Sequence, residues 1–198
     1  MRKSRSETTE TRERIVSTAS RLFRTNGLAS VGTREIMGAC DIAQGGFYRH
    51  FESKEQLIVE AYQKALDDLF AMLGKATSGK SPREALETIV ASYLSQSPLV
   101  SQTDLCPLAM LGSELKHADD QIRDLAMHGY QRFVALIEAE LVKLGKPQAK
   151  MLAAGMSSIL VGAVTLASIT PHKATAKKVL KDAREYVLRD ISIAITSN

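Results

Sequence analysis

Cysteine is scarce in this chain, with only Cys40 and Cys106 among 198 residues. Two thiols make no disulfide framework, and a bond between them is not expected. The first fourteen residues are polar and charged and do not look like a signal segment, so the expectation is a reduced, cytoplasmic protein. Proline is also sparse, at five residues. Ala, Leu, Ile and Met are scattered throughout, which favours helix over strand. There is no internal repeat, low-complexity tract or strand pair. Catalytic signatures are missing too: no glycine-rich phosphate loop, no Gly-x-Ser-x-Gly and no His-Glu-x-x-His. His117 with Asp119 and Asp120 hints at a metal site, but a polar turn between helices accounts for these residues better. No enzyme activity, metal or cofactor is therefore expected. One uncharged run, residues 151–170, is long enough to span a bilayer. Its content of Ala, Gly and Ser suits a helix buried between protein surfaces, and no membrane partner is expected.

What is present is the composition of a globular protein able to bury a sizeable core, 44% apolar and 24% charged. The net charge of +4 is unevenly placed. Residues 1–50 carry nine Lys/Arg against five Asp/Glu, whereas residues 51–198 carry seventeen of each. A basic head on a neutral body suits phosphate contact, although a basic end is also an ordinary solvated surface.

The apolar spacing predicts an all-α protein of about nine helices. After a frayed basic tail over residues 1–8, a helix over 9–26 places Ile15, Ala19, Leu22 and Phe23 on one stripe, with Asn26-Gly27 as its stop. Two short helices follow, over 33–40 with Ile36 and Met37 inward, and over 44–50 with Phe47 and Phe51 inward. Only Asp41-Ile42-Ala43 joins them, which is the pattern of a helix-turn-helix. Ser53 with Gln56 reads as a capping box opening a long helix that stops near Gly74. Ser81-Pro82-Arg83-Glu84 reads as another, with proline at the first helical position, opening a helix that carries Ile89, Val90, Tyr93 and Leu94 up to Pro98. Beyond a loop over 98–105, helices are expected over 107–117, 119–144, 147–169 and 174–195, punctuated by Gly145-Lys146-Pro147 and Pro171.

The chemistry concentrates in residues 32–51. Gly45 and Gly46 lie near the start of the third helix, and each costs it about 1 kcal/mol relative to Ala. Either they form a simple loop, or close backbone approach to another molecule compensates for them. Gln44, Tyr48, Arg49 and His50 around them are able to bond base edges or phosphates.

The run Gly-Gly-Phe-Tyr-Arg-His-Phe-Glu-Ser-Lys-Glu-Gln-Leu at residues 45–57 resembles the signature at the end of the recognition helix in the TetR family of transcriptional regulators. Asn26-Gly27-Leu28 and Thr33-Arg34-Glu35-Ile36 fall where that family has its post-helix glycine and the start of its second helix. The resemblance spans about residues 9–69, and the remainder matches only in helix pattern. It implies a three-helix DNA-binding domain over 9–69, with the motif at 32–51, and an effector-binding and dimerisation domain over 70–198. It also implies that Thr33, Tyr48 and Lys54 contact phosphates, that Gln44 and Gly45 face the major groove and that His50 lies close to the DNA backbone, with Arg34 and Arg49 in the same surface. Thr33 and Lys54 sit at predicted helix N-termini, where free N–H groups favour a phosphate. Phe47, Phe51 and Ile36 are read as packing residues. Three positions depart from the family pattern: Asp41 where glycine is usual, Ala43 where a capping serine is usual, and Gln44 where lysine is frequent. Asp tolerates the left-handed turn, Ala provides no cap, and Gln pairs with adenine.

By the same resemblance the body binds a small effector and forms a homodimer on double-stranded operator DNA. Ala154, Gly155, Ser158 and Gly162 offer a face on which two helices could approach closely, forming a four-helix interface with residues 174–195. Pro107 as first helical residue places Cys106 at the cap, where a helix dipole lowers a thiol's pKa. Cys106 is then either an oxidant or electrophile sensor or, more plainly, a small buried residue lining the pocket. Tyr93, Met110, Glu114 and Phe133 are pocket candidates by position. The expected function is an operator-bound repressor released by a small-molecule or thiol-reactive effector; a helical adaptor that lost DNA binding is the remaining alternative.

Overall fold

The computed structural model describes residues 5–95, 97–98 and 105–192. Among these residues every regular element is helical: α1 (Arg5–Asn26), α2 (Thr33–Ala39), a 3-10 helix (Gln44–Arg49), α3 (Lys54–Thr77), α4 (Pro82–Leu94), α5 (Pro107–Leu115), α6 (Asp120–Lys143), α7 (Ala149–Ile169) and α8 (Lys173–Ser192). The all-α architecture predicted above is therefore the one observed. Residues 1–4 of the basic tail, most of the loop over 98–105 and the residues beyond 192 lie outside the described part.

Local chemistry explains most boundaries. Ser81 accepts from the Glu84 amide, and the Glu84 carboxylate accepts in return from the Ser81 amide at 3.0 Å, a complete capping box ahead of Pro82. That exchange holds the Glu84 carboxyl below its ordinary range, first through the Ser81 hydroxyl and then through its amide. Ser53 caps α3 by accepting from Gln56 at 3.1 Å. The Gln56 side chain reaches one residue further back than the usual box, accepting from the Glu52 amide at 2.7 Å. Asp119 caps α6 through the Ile122 amide at 3.0 Å, and Asp120 pairs with Arg123. The acidic residues beside His117 thus belong to a helix start.

Three elements differ from expectation. α1 begins at Arg5 rather than near Thr9, and Glu7 in its first turn complements the dipole there. α7 begins at Ala149, because Gln148 adopts φ +54 and cannot be a helical residue. The third element of the head is a six-residue 3-10 helix rather than an α-helix.

Two hydrophobic clusters divide the interior. The head cluster joins Ile15, Ala19 and Phe23 of α1 to Ile36, Met37, Phe47 and Phe51, and to Leu57, Ala61 and Leu66 of α3. It also takes in Leu111 and Leu115 of α5 and Ile122 and Ala126 of α6. The body cluster starts at Leu69 on the same α3 and collects Tyr93, Phe133, Leu160, Val164 and Val187 from α4, α6, α7 and α8. α3 is continuous through the change of core, so a single helix joins the head to the body. α7 is long and apolar enough to cross a membrane by length and composition. Here it packs against α6 and α8 through Ala153, Met156, Leu160, Ala163, Val164 and Ala167.

Candidate functional site

The head presents its third element on a small aromatic plug. Phe47 and Phe51 are both buried, their ring centroids 5.5 Å apart, and they sit with Ile36 and Met37 of α2. α2 ends in a reciprocal carbonyl cap: the Ile42 amide donates to Met37 O and the Asp41 amide to Gly38 O, each at 3.0 Å. Such a cap requires a left-handed residue, and Asp41 supplies it at φ +54. The turn is thus closed without glycine, through a residue whose short polar side chain tolerates that region.

The next residue but one, Ala43, begins the 3-10 helix with no side-chain cap. Its carbonyl accepts from Gly46 at 2.9 Å, the i+3 bond that defines the tighter helix. An uncapped start followed by two glycines offers little to an α-helical nucleus. The anchored Phe47 and Phe51 then set the path of the chain.

The residues selected from the sequence lie on α2, the 3-10 helix and its C-cap, and the start of α3. Arg34, Gln44, Gly45, Tyr48 and Arg49 are exposed, while Thr33, His50 and Lys54 are half-buried. Tyr48 is 78% exposed, held edge-on against Phe47 at 5.3 Å between centroids. Lys54 faces inward to a degree: its Nζ donates to Leu28 O at 2.8 Å and lies 6.0 Å from the Phe23 ring centroid.

Arg12 is a residue that sequence reasoning missed. From α1 it pairs with Glu60 of α3 through both guanidinium Nη atoms, one of them at 2.6 Å from Glu60 Oε1. Its Nε donates to His50 O at 3.3 Å, and its guanidinium carbon stands 4.6 Å from the Phe51 centroid. The hydrogen bond to Glu60 raises the Arg12 pKa further, against the opposing effect of burial. One side chain thus ties α1, α3 and the end of the 3-10 helix together.

The residues suggested for an effector do not converge on one pocket. Tyr93 and Phe133 stack at 4.4 Å between centroids inside the body core, and Tyr93 OH lies 2.7 Å from Cys106 Sγ. All three are fully buried. Cys106 does occupy the cap of α5, as read from Pro107. Burial pushes its thiol pKa up, however, and outweighs the Tyr93 hydrogen bond and the amides of Ala109 and Leu108 that pull it down. The lowered pKa expected from the dipole alone is corrected accordingly. Met110 packs against the head cluster. Glu114 accepts from the backbone amides of Leu28 at 2.8 Å and Ala29 at 3.1 Å, just beyond Gly27 at φ +89. It is a joint between α5 and the head.

On α7, Gly155 and Ser158 are exposed and Ala154 and Gly162 half-buried. Tyr130 of α6 bonds Ala154 O at 3.2 Å and Ser158 Oγ at 2.9 Å. Met151, Leu166 and Ile169 continue the same exposed stripe. A Cβ built on Gly155 or Gly162 would meet nothing within 4 Å.

A left-handed turn between two short helical segments, an exposed polar surface on the second, and a larger helical body grafted on by one long helix define a helix-turn-helix regulator of transcription. Residues 15–61 match the family of bacterial regulatory proteins of the tetR type, and residues 82–181 match the LmrA/YxaF-like C-terminal domain of transcriptional regulators. The chain belongs to the TetR family. It is 23% identical over 170 residues to the HTH-type transcriptional regulator LmrA of Bacillus subtilis, covering 84% of this chain and 90% of that one. It is 26% identical over 170 residues to the uncharacterized regulator YxaF of the same organism, covering 83% and 88%. The reduced form of Escherichia coli NemR shares the fold at a TM-score of 0.79 and 19% identity, over 90% of this chain and 95% of that one. LmrA and YxaF are both described as HTH-type transcriptional regulators.

Proposed function

We propose that this protein is a cytoplasmic, homodimeric repressor that binds a specific operator through residues 32–51 and leaves it when a small molecule binds the body. The observation that carries this reading is Tyr48, a large aromatic side chain 78% exposed on a segment whose neighbours Phe47 and Phe51 are buried. With Phe47 and Phe51 anchoring the segment, Tyr48 projects an aromatic ring and a hydroxyl able to bond a phosphate. Tyr48, Thr33 and Lys54 are assigned to phosphates, Lys54 after exchanging its Leu28 carbonyl for a phosphate oxygen. Gln44 and Gly45 face the major groove, and Arg34, Arg49 and His50 flank the DNA backbone. Residues 9–69 form the DNA-binding domain and 70–198 the effector and dimer domain, with a second copy of the chain seated on the α7 stripe of Ala154, Gly155, Ser158 and Gly162. A small-molecule effector is favoured over a thiol-reactive one, because Cys106 is fully buried and its pKa is raised.

Fluorescence anisotropy with a duplex from the region upstream of the protein's own coding sequence tests this, with a scrambled duplex as reference at about 0.15 M salt. The expected preference is roughly 10³-fold or more. A Cβ at position 45 would meet nothing within 4 Å, so Gly45→Ala should fold normally and lose affinity only where the backbone meets DNA. Equal binding to both duplexes would sink the repressor reading.

A further inference from the structure

An apolar cavity of about 350 Å³ opens between α5, α6 and α7. Its walls come from Leu108 and Leu115 of α5, Met127 of α6 and Val161 of α7. Met127 is 55% exposed there, a flexible apolar side chain with water on one side. The two charged residues lining it are Lys116 and Arg123, both cationic. Arg123 holds Asp120 at 3.0 Å in an exposed pair, which is weak and exchangeable. A volume of this size is that of a small-ligand site, with a largely apolar wall and few polar groups.

Resting on the repressor reading, we propose that this cavity is the effector site and that its ligand is an amphipathic anion, a medium-length apolar body ending in a carboxylate. The apolar body fills the space beside Met127, and the carboxylate meets Lys116 and Arg123 at the rim, replacing Asp120 on the guanidinium. A neutral ligand leaves both cations unused, and a cationic one is repelled.

The same short helix carries the signal outward. Leu108, Gly112 and Leu115 of α5 line the cavity, while Leu111 belongs to the head cluster and Glu114 holds the Leu28 and Ala29 amides. The Leu28 carbonyl in turn receives Lys54, the first residue of α3 after the 3-10 helix. A ligand that displaces α5 therefore moves Glu114 and, through Leu28, the lysine assigned to DNA. By linkage such a ligand must bind the DNA-free arrangement more tightly.

Calorimetry on the full chain without DNA tests the site, using sodium decanoate as probe and decyltrimethylammonium as its cationic counterpart, both below micelle formation. Decanoate should bind at least about tenfold more tightly than the ammonium, and Lys116→Gln with Arg123→Gln should weaken it about tenfold. Both substituted side chains are at the surface, so folding is retained. Gly112→Leu, built where a Cβ meets nothing within 4 Å, should fill the cavity and abolish decanoate binding. Operator binding by ligand-free protein, measured separately, reports on the repressor reading alone. Absence of decanoate binding, equal affinity for the ammonium, or binding unchanged by Gly112→Leu overturns the site. Decanoate that binds without lowering operator affinity overturns its role as effector while leaving the site and the repressor standing.

Discussion

At the scale of single residues, Arg12 and Cys106 show how tertiary surroundings decide what a side chain does. Arg12 bridges Glu60, the His50 carbonyl and the Phe51 ring. Through the His50 carbonyl and the Phe51 ring it holds the end of the segment proposed to bind DNA, which assigns it a positioning role there. Its ion pair is partly exposed and screened by salt, so Arg12→Ala should cost only about 1 kcal/mol of stability. Operator affinity should fall about tenfold, because the end of the 3-10 helix is released. Arg12→Lys keeps the charge but not the two-pronged geometry and should recover part of the loss. Thermal melting read beside anisotropy separates the two effects, and unchanged affinity in Arg12→Ala would remove the positioning role.

Cys106 offers a prediction of the opposite kind. Its folded thiol pKa is raised, so below the ordinary thiol range both folded and unfolded states stay protonated and the group contributes no pH dependence. Above about pH 8.5 the unfolded thiol ionises first while the folded one keeps its proton, and stability declines as pH rises. Tyr93 and Tyr62, both pushed up by burial, extend the same decline further into alkali. Melting temperature should therefore fall between about pH 8 and pH 10, and less so in Cys106→Ala. Iodoacetamide should label Cys106 at neutral pH only after unfolding. Rapid labelling of the native protein would revive the thiol-sensor reading.

Among the elements, legibility in the sequence follows the range of the interactions. The capping box at Ser81, the Ser53 cap, the proline at the start of α5 and the left-handed tolerance of Asp41 are readable because each is settled within a few residues. The 3-10 form of Gln44–Arg49 is not, since six residues with two glycines choose between helical pitches only once Phe47 and Phe51 are seated in a core built from α1 and α3. Position alone puts Glu114 among the pocket candidates, and nothing near it in sequence announces an amide 86 positions away. Arg12 and Glu60, 48 positions apart, were invisible for the same reason. Ala43 turns this into an experiment. The position before the 3-10 helix lacks a side-chain cap, so Ala43→Ser should stabilise the head by about 1 kcal/mol. A higher melting temperature with operator preference intact is the expected result; a lower one would mean that the Ala43 backbone cannot direct a hydroxyl toward the free amides.

For the whole molecule, α3 runs unbroken from the head core into the body core, so in the proposed dimer the spacing of the two heads depends on where the two bodies meet. The α7 stripe runs from Met151 through Gly155, Ser158 and Gly162 to Leu166 and Ile169, the last 71% exposed. An exposed apolar row interrupted by small residues suits a partner helix at close distance. Gly155→Arg tests it directly, because a side chain there enters open space within its own protomer and obstructs only a neighbour. Light scattering should show a dimer for the native chain and a monomer for the variant, with helical content preserved. Operator affinity should drop by well over about tenfold, since the two half-sites would then be bound as separate events rather than one linked to the other. A variant that stays dimeric would place the interface elsewhere, with α7 reduced to a buried body helix whose outer stripe carries no partner.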